Sequence, residues 1–167
     1  QIDQAIESTE KAIKDGYKTI YEATACSPDN AFSRIDILRK VNGSNAWDLI
    51  EVKGSTSVKD YHIDDTSLQR YAFTGAGYKI RKSYLMHVNN QYVKNGDLEL
   101  EKLFALDDVT DYVATSMKDV PTKLQELFSI LNKKTEPSIE IGGHCSDPFD
   151  CDYIGYCWSH VPDYSVY

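Results

Sequence analysis

The chain has 167 residues, 41% hydrophobic and 26% charged, a balance ordinary for one globular domain long enough to bury a substantial core. No run approaches the roughly 18 apolar residues of a membrane helix and no signal peptide opens the chain, so no membrane partner and a cytoplasmic location are expected. A net charge of −8 argues against a protein that holds nucleic acid by bulk electrostatics, since that binding is driven by neutralising phosphates.

In chain order, residues 2–14 place Ile2, Ala5, Ile6, Thr9 and Ile13 at helical spacing, and Gly16 closes the helix. Glu7 and Glu10 lie on it and read as solvated. Residues 17–26 alternate as a strand with Ile20, Glu22, Thr24 and Cys26 on one face, so Glu22 either joins an acidic site or faces solvent at an edge. Ser27-Pro28-Asp29-Asn30 is a turn.

Residues 32–53 predict a β-hairpin, because runs rich in Ile, Val, Leu and Trp flank the turn-forming Asn42-Gly43-Ser44-Asn45. Centring the turn between Gly43 and Ser44 pairs Ile35 with Val52, Asp36 with Glu51, Ile37 with Ile50 and Leu38 with Leu49. The expected core face is Ile35, Ile37, Ile50 and Val52, and the other face gathers Asp36, Glu51 and Lys53 beside Leu38 and Leu49. Two carboxylates directly opposite, about 5 Å apart at Cβ, repel unless a positive charge lies with them. Lys53 is one such charge, and a hard divalent cation is another. A plain solvated face bearing Asp, Glu and Lys fits the same spacing.

Beyond the hairpin, a helix is expected from Asp64 or Asp65 to about Thr74, with Leu68, Tyr71 and Ala72 as its apolar stripe and Gly75-Ala76-Gly77 as its stop. Residues 84–88 read as a buried strand in which His87 is a satisfied core histidine. Residues 98–106 read as an edge strand or loop, with a short helix following Asp107 and Asp108. Val120, Leu124, Leu127, Phe128 and Leu131 define what periodicity makes the longest helix, expected to pack on the sheet. Two basic clusters, Lys79, Arg81, Lys82 and Arg34, Arg39, Lys40, offer local cationic patches on the acidic chain. From about residue 135 the periodicity ends, which divides the chain into a core over 1–134 and a Cys-rich tail over 135–167 packed on it. The start at Gln1 rather than Met predicts a piece of a longer polypeptide that carries further domains.

Cys145, Cys151 and Cys157 are separated by five residues each time, in a segment with little apolar core of its own. Regular thiols in such a segment point to a metal or cluster, with Cys26, a cysteine upstream of this chain, or, for zinc, His144 as the fourth ligand. Two disulfides in a secreted protein are the other reading.

An Asp in one strand followed by Glu-x-Lys in the next resembles the PD-(D/E)XK nuclease superfamily. The order Asp36, Glu51-Val52-Lys53, then Gln69 on the next helix is similar to RecB-like nuclease domains, including the CRISPR-associated and AddB-like exonucleases. The likeness runs from 17 to about 158 and takes in the tail, because that family's iron–sulfur members end in three clustered cysteines whose fourth ligand lies far upstream. It implies an α/β restriction-endonuclease-like core, a central mixed sheet flanked by helices, and a metal-dependent exonuclease acting on DNA that is single-stranded or has free ends. By the same resemblance Asp36 and Glu51 would hold Mg²⁺ or Mn²⁺ with the Val52 carbonyl, while Glu22, from the strand alternation alone, would either join them as an outer acidic group or face solvent. Lys53 would orient or deprotonate the attacking water, Gln69 would position that water or a phosphate, and Cys145, Cys151, Cys157 and Cys26 would bind a [4Fe-4S] cluster or zinc. The sequence departs from the pattern at Ile35, where the superfamily has Pro, and at Phe73, where the Gln-x-x-x-Tyr motif has Tyr. No Cys precedes Cys26. The competing reading is a nuclease fold without activity that serves as a binding or assembly module.

Overall fold

A hairpin and a helix that crosses over it set the architecture. β1 (Thr19–Cys26), β2 (Phe32–Lys40) and β3 (Trp47–Lys53) form an antiparallel meander. The crossover helix α2 (Asp60–Gly75) then returns the chain to β4 (Ile80–Val88), parallel to β3, and β5 (Phe104–Asp108) closes the edge antiparallel to β4. The result is a five-stranded mixed sheet in the order β1-β2-β3-β4-β5, flanked by helices, an α/β architecture consistent with the restriction-endonuclease-like core expected from the sequence. The other helices are α1 (Ile2–Lys14), α3 (Leu100–Leu103), α4 (Thr110–Ser116), α5 (Val120–Leu131) and α6 (Ile154–Cys157). The computed structural model describes every residue except 1, 163, 166 and 167. The chain divides into two compact units, 1–126 and 127–167, with α5 running across the boundary.

The hairpin register follows the turn chemistry: Ile37 pairs with Ile50, Leu38 with Leu49, Arg39 with Asp48 and Lys40 with Trp47, while Gly43 adopts a left-handed φ of 69°. The core differs from the alternation expected of it. Leu38, Leu49 and Trp47, on the face that carries the carboxylates, are buried with Ile20, Phe73 and Ile80, and Ala12, Ile13 and Tyr78 pack against them, while Ile35 and Ile50 of the expected core face are buried as well. Val52, assigned to the opposite, apolar face, is 38% exposed.

The cause is a phase slip. In β2 the buried positions are Ser33 and Ile35, then Leu38; in β1 they are Ile20, then the run Ala23, Thr24 and Ala25. Between the buried runs lies Glu22, with φ at +54°, flanked in register by the pairs Tyr21–Ile37 and Ala23–Ile35, which put it opposite Asp36. A non-glycine residue in that region locally breaks the two-residue alternation and costs of order 1–3 kcal/mol.

Four helical expectations also change. α2 begins at Asp60, not at Asp64 or Asp65, because Lys59 and His62 cap it: the Lys59 N–H donates to His62 Nδ1 at 3.1 Å. With 16 residues α2, not the 12-residue α5, is the longest helix. The α5 stripe is largely solvated, with only Val120 buried and Leu131 at 75% exposure. The inner face of α2 is polar, comprising His62, Thr66, Ser67 and Gln69 beside Ala72 and Phe73, whereas Leu68 and Tyr71 are half-buried. α2 ends against the β1–β2 turn so closely that a Cβ on Gly75 would lie 2.6 Å from Ser27 Cβ, which explains the residue there.

Candidate functional site

The β2–β3 ladder ends at Ile37–Ile50, and the expected Ile35–Val52 and Asp36–Glu51 pairs do not continue it. Asp36 Oδ2 instead accepts the Val52 N–H at 2.7 Å, a side chain standing in for a strand carbonyl. The bend at Glu22 and Asp36 thereby anchors an acidic side chain on the backbone between Glu51 and Lys53. β4 supplies the next row: Glu51 lies beside Leu85 and Lys53 beside His87.

Glu51 is buried, at 7% exposure. Its Oε1 accepts from Lys53 Nζ at 2.9 Å, while Oε2 is buried with no donor in hydrogen-bonding geometry, although the Gln69 side chain lies close enough to Glu51 to favour its charge; Gln69 Oε1 is likewise buried without a partner. Burial raises the Glu51 pKa, and nearby Asp36 adds to the rise, against the opposing effects of Lys53 and Gln69. Burial acts in the other direction on Lys53, but hydrogen bonds to Asp65 and Glu51 outweigh it, so the lysine pKa is raised and the ammonium persists. Gln69 is buried on α2, as a site residue would be, and its Nε2 approaches Asp65 Oδ1 at 3.5 Å. His87 is buried and doubly engaged, with Nε2 on Asp107 Oδ2 at 2.9 Å and Nδ1 on the Val88 carbonyl at 3.1 Å.

The residues predicted for the site thus fall into two groups. Asp36, Glu51, Val52, Lys53 and Gln69 come together at the end of β3 under α2. Glu22 turns to solvent and pairs with Arg34, Nε to Oε2 at 2.8 Å. Cys26, Cys145, Cys151 and Cys157 are all free thiols. Within the tail, the Cys151 N–H donates to the Cys145 carbonyl at 2.8 Å and Cys145 is buried. Among the described residues no three or more His, Cys, Asp or Glu side chains converge on a position that could hold a metal ion. Asp65 escaped sequence reasoning because the helix start was placed on it; its signal was the four-residue spacing to Gln69, which puts both on one helix face.

The expected cationic patch is mostly committed elsewhere. Arg81 and Arg39 both reach the buried Asp48, Lys82 pairs with Asp108, Arg34 with Glu22, and Lys40 lies over the Trp47 ring. Trp47 is four residues from Glu51, about 13 Å along a strand, so Arg81 and Lys40 gather at the far end of β3.

Mg²⁺ uses one or two carboxylates and keeps several waters, so two acids with an orphaned buried oxygen suit it even without a third. The three tail thiols have no such support, since among the described residues Cys145, Cys151 and Cys157 are not gathered on one position.

No protein family and no curated protein matches the chain. Among solved structures it is similar to SSO0001, at 16% identity and TM-score 0.40, over 96% of this chain and 68% of that one. It is also similar to an alkaline exonuclease, LHK-Exo from Laribacter hongkongensis, at 11% identity and TM-score 0.36, over 77% of this chain and 69% of that one. Likenesses this low carry no argument about activity.

Proposed function

We propose that this chain is a metal-dependent deoxyribonuclease, an exonuclease of the RecB-like type that hydrolyses phosphodiesters in single-stranded DNA or at DNA ends. The observation that carries the reading is Glu51: a buried carboxylate with one oxygen on an ammonium, the other without a donor, and Asp36 beside it. Burying a charge with an empty oxygen is costly unless a cation completes it, and perturbed acids of this kind cluster at functional sites. Asp36, Glu51 and the Val52 carbonyl would hold Mg²⁺ or Mn²⁺.

When bound, such an ion supplies a Lewis acid for a phosphoryl oxygen and lowers the pKa of an attached water. In hydrolysis the water oxygen bonds to phosphorus as one phosphorus–sugar oxygen bond breaks, leaving a phosphomonoester and a hydroxyl. Lys53 is held as an ammonium, so it donates: it orients the water and stabilises negative charge on the phosphoryl oxygens, rather than removing a proton. Gln69, buried at the same place, positions the water or a neighbouring phosphate.

The test is Lys53→Ala. Loss of one preorganised donor is expected to cut cleavage of single-stranded DNA by about 100-fold or more. Mn²⁺ affinity should hold or rise, because a competing charge has gone, and DNA affinity in Ca²⁺ should change little. The net charge of −8 and the pairing of Arg34, Arg39, Arg81 and Lys82 with carboxylates favour the competing module without activity. A parent that binds DNA but never cleaves it in Mg²⁺ or Mn²⁺, with Lys53→Ala indistinguishable, would establish that module instead. For the tail, an iron–sulfur cluster or zinc on Cys145, Cys151 and Cys157 is proposed on the regular spacing alone.

A further inference from the structure

We propose that Asp65 is a positioning residue that shares the Lys53 ammonium with Glu51, leaving Glu51 available to a divalent cation and Lys53 aimed at the phosphate. The inference rests on the nuclease reading above and assigns a role to a side chain outside the family motif.

Three observations carry it. Lys53 Nζ donates to Asp65 Oδ2 and also to Glu51 Oε1, so its charge is divided between β3 and α2. The Lys53 side chain is 22% exposed, so the ammonium does not sample open solvent as a surface lysine does. Asp65 Oδ1 lies 3.5 Å from Gln69 Nε2, one helical turn on, so the same carboxylate touches two of the residues assigned to the reaction. An ammonium has three protons; two partners leave one for a phosphoryl oxygen or water. Without Asp65 the whole lysine charge would fall on Glu51, where it opposes any cation by direct repulsion and by occupying an oxygen. His62 and His87 also face this lysine, and both are buried.

The experiment compares Asp65→Asn, Asp65→Glu, Lys53→Ala and the Lys53→Ala/Asp65→Asn double variant, reading Mn²⁺ binding by calorimetry and kcat and KM on single-stranded DNA. Asp65→Asn is expected to lower kcat by about 10- to 100-fold, the scale of losing an outer-shell partner, with KM unchanged. It is also expected to weaken Mn²⁺ binding, and Asp65→Glu should recover most of both effects. In the Lys53→Ala background Asp65→Asn should add nothing to either, because its effect runs through the ammonium. An equal loss with and without Lys53 means a merely structural residue and overturns the inference, as does cleavage by Asp65→Asn at the parent rate. A parent that binds Mn²⁺ with this coupling yet cleaves nothing overturns the nuclease reading and leaves the role of Asp65 standing. A parent that binds no Mn²⁺ overturns both.

Discussion

Replacing Glu51 by Gln should stabilise the protein while abolishing its site. Glu51 is buried, one of its oxygens has no donor, and burial raises its pKa. The amide removes the charge and supplies an N–H₂ beside Gln69, whose own Oε1 lacks a partner. The loss is one ion pair, but Lys53 keeps Asp65 and so is not stranded as an isolated buried charge. Relieving an unsatisfied buried polar group is worth about 1 kcal/mol at the low end, or about 2–4 °C in Tm for a chain of this size. The pH dependence follows from the sign. A carboxyl whose folded pKa is raised contributes stability below its unfolded value and loses it as pH rises through the folded value. The advantage of Glu51→Gln should therefore be largest at alkaline pH and vanish below the ordinary glutamate range. A ligand at 100 times its Kd adds about 2.7 kcal/mol to a protein that binds it, so saturating Mn²⁺ should put the parent above the variant. Scanning calorimetry at pH 8, in chelator and then in Mn²⁺, reads both halves. A variant less stable than the parent in chelator, or an equal rise of both in Mn²⁺, refutes the reasoning.

Hydrogen bonding to Asp107, then to the Val88 carbonyl, raises the His87 pKa, so the stability this histidine contributes should be complete below the ordinary histidine range and fall as pH rises through the raised value. His87→Gln should flatten that part of the urea-denaturation profile; a profile identical to the parent's would mean that the His87–Asp107 pair does not set it. Glu22→Gly removes a carboxylate that turns to Arg34 and relieves a left-handed φ, so Mn²⁺ affinity should be unchanged; weakened calorimetric binding would return Glu22 to the metal site. Cys151→Ser should lower Tm and bleach any brown colour of protein prepared without oxygen, and metal analysis of a colourless parent with unchanged melting would leave the tail without a cluster.

The register of the hairpin was legible because turn chemistry and apolar pattern agreed: the Asn-Gly-Ser-Asn turn fixes the pairs from Ile37–Ile50 to Lys40–Trp47. The direction of burial was not, because strict alternation holds only where φ and ψ stay extended, and Glu22 leaves that region. The same break hid the way Asp36 acts, as an acceptor for a backbone N–H rather than as a ladder residue. The start of α2 was missed for a different reason. Its cap is the His62 side chain, which accepts the Lys59 N–H and lies outside the Ser, Thr, Asp and Asn set that marks helix starts. Once the helix began at Asp60, Asp65 moved from cap to interior and onto the face of Gln69.

These departures share a place. Along the face under α2, the Trp47 end of β3 is apolar, with Leu38, Leu49 and Phe73 filling the space against it. Four residues on, the same face carries Glu51 and Lys53, and α2 meets them with His62, Asp65, Thr66 and Gln69. The left-handed Glu22, the interrupted ladder and the two orphaned oxygens all lie at this second end. A stretch optimised for stability alone would continue the apolar packing and close the ladder. Local rules that fail together, beside a core that obeys them, are what the proposed site, maintained at the expense of stability, would leave in the fold. That grouping also distinguishes the carboxylates from a solvated acidic surface: Asp48 is equally buried, but two arginines satisfy it and no backbone irregularity accompanies it except a register shift at the strand start. Glu51, with a single shared ammonium and an empty oxygen, is the buried acid whose surroundings are incomplete, which is what the proposed cation would require.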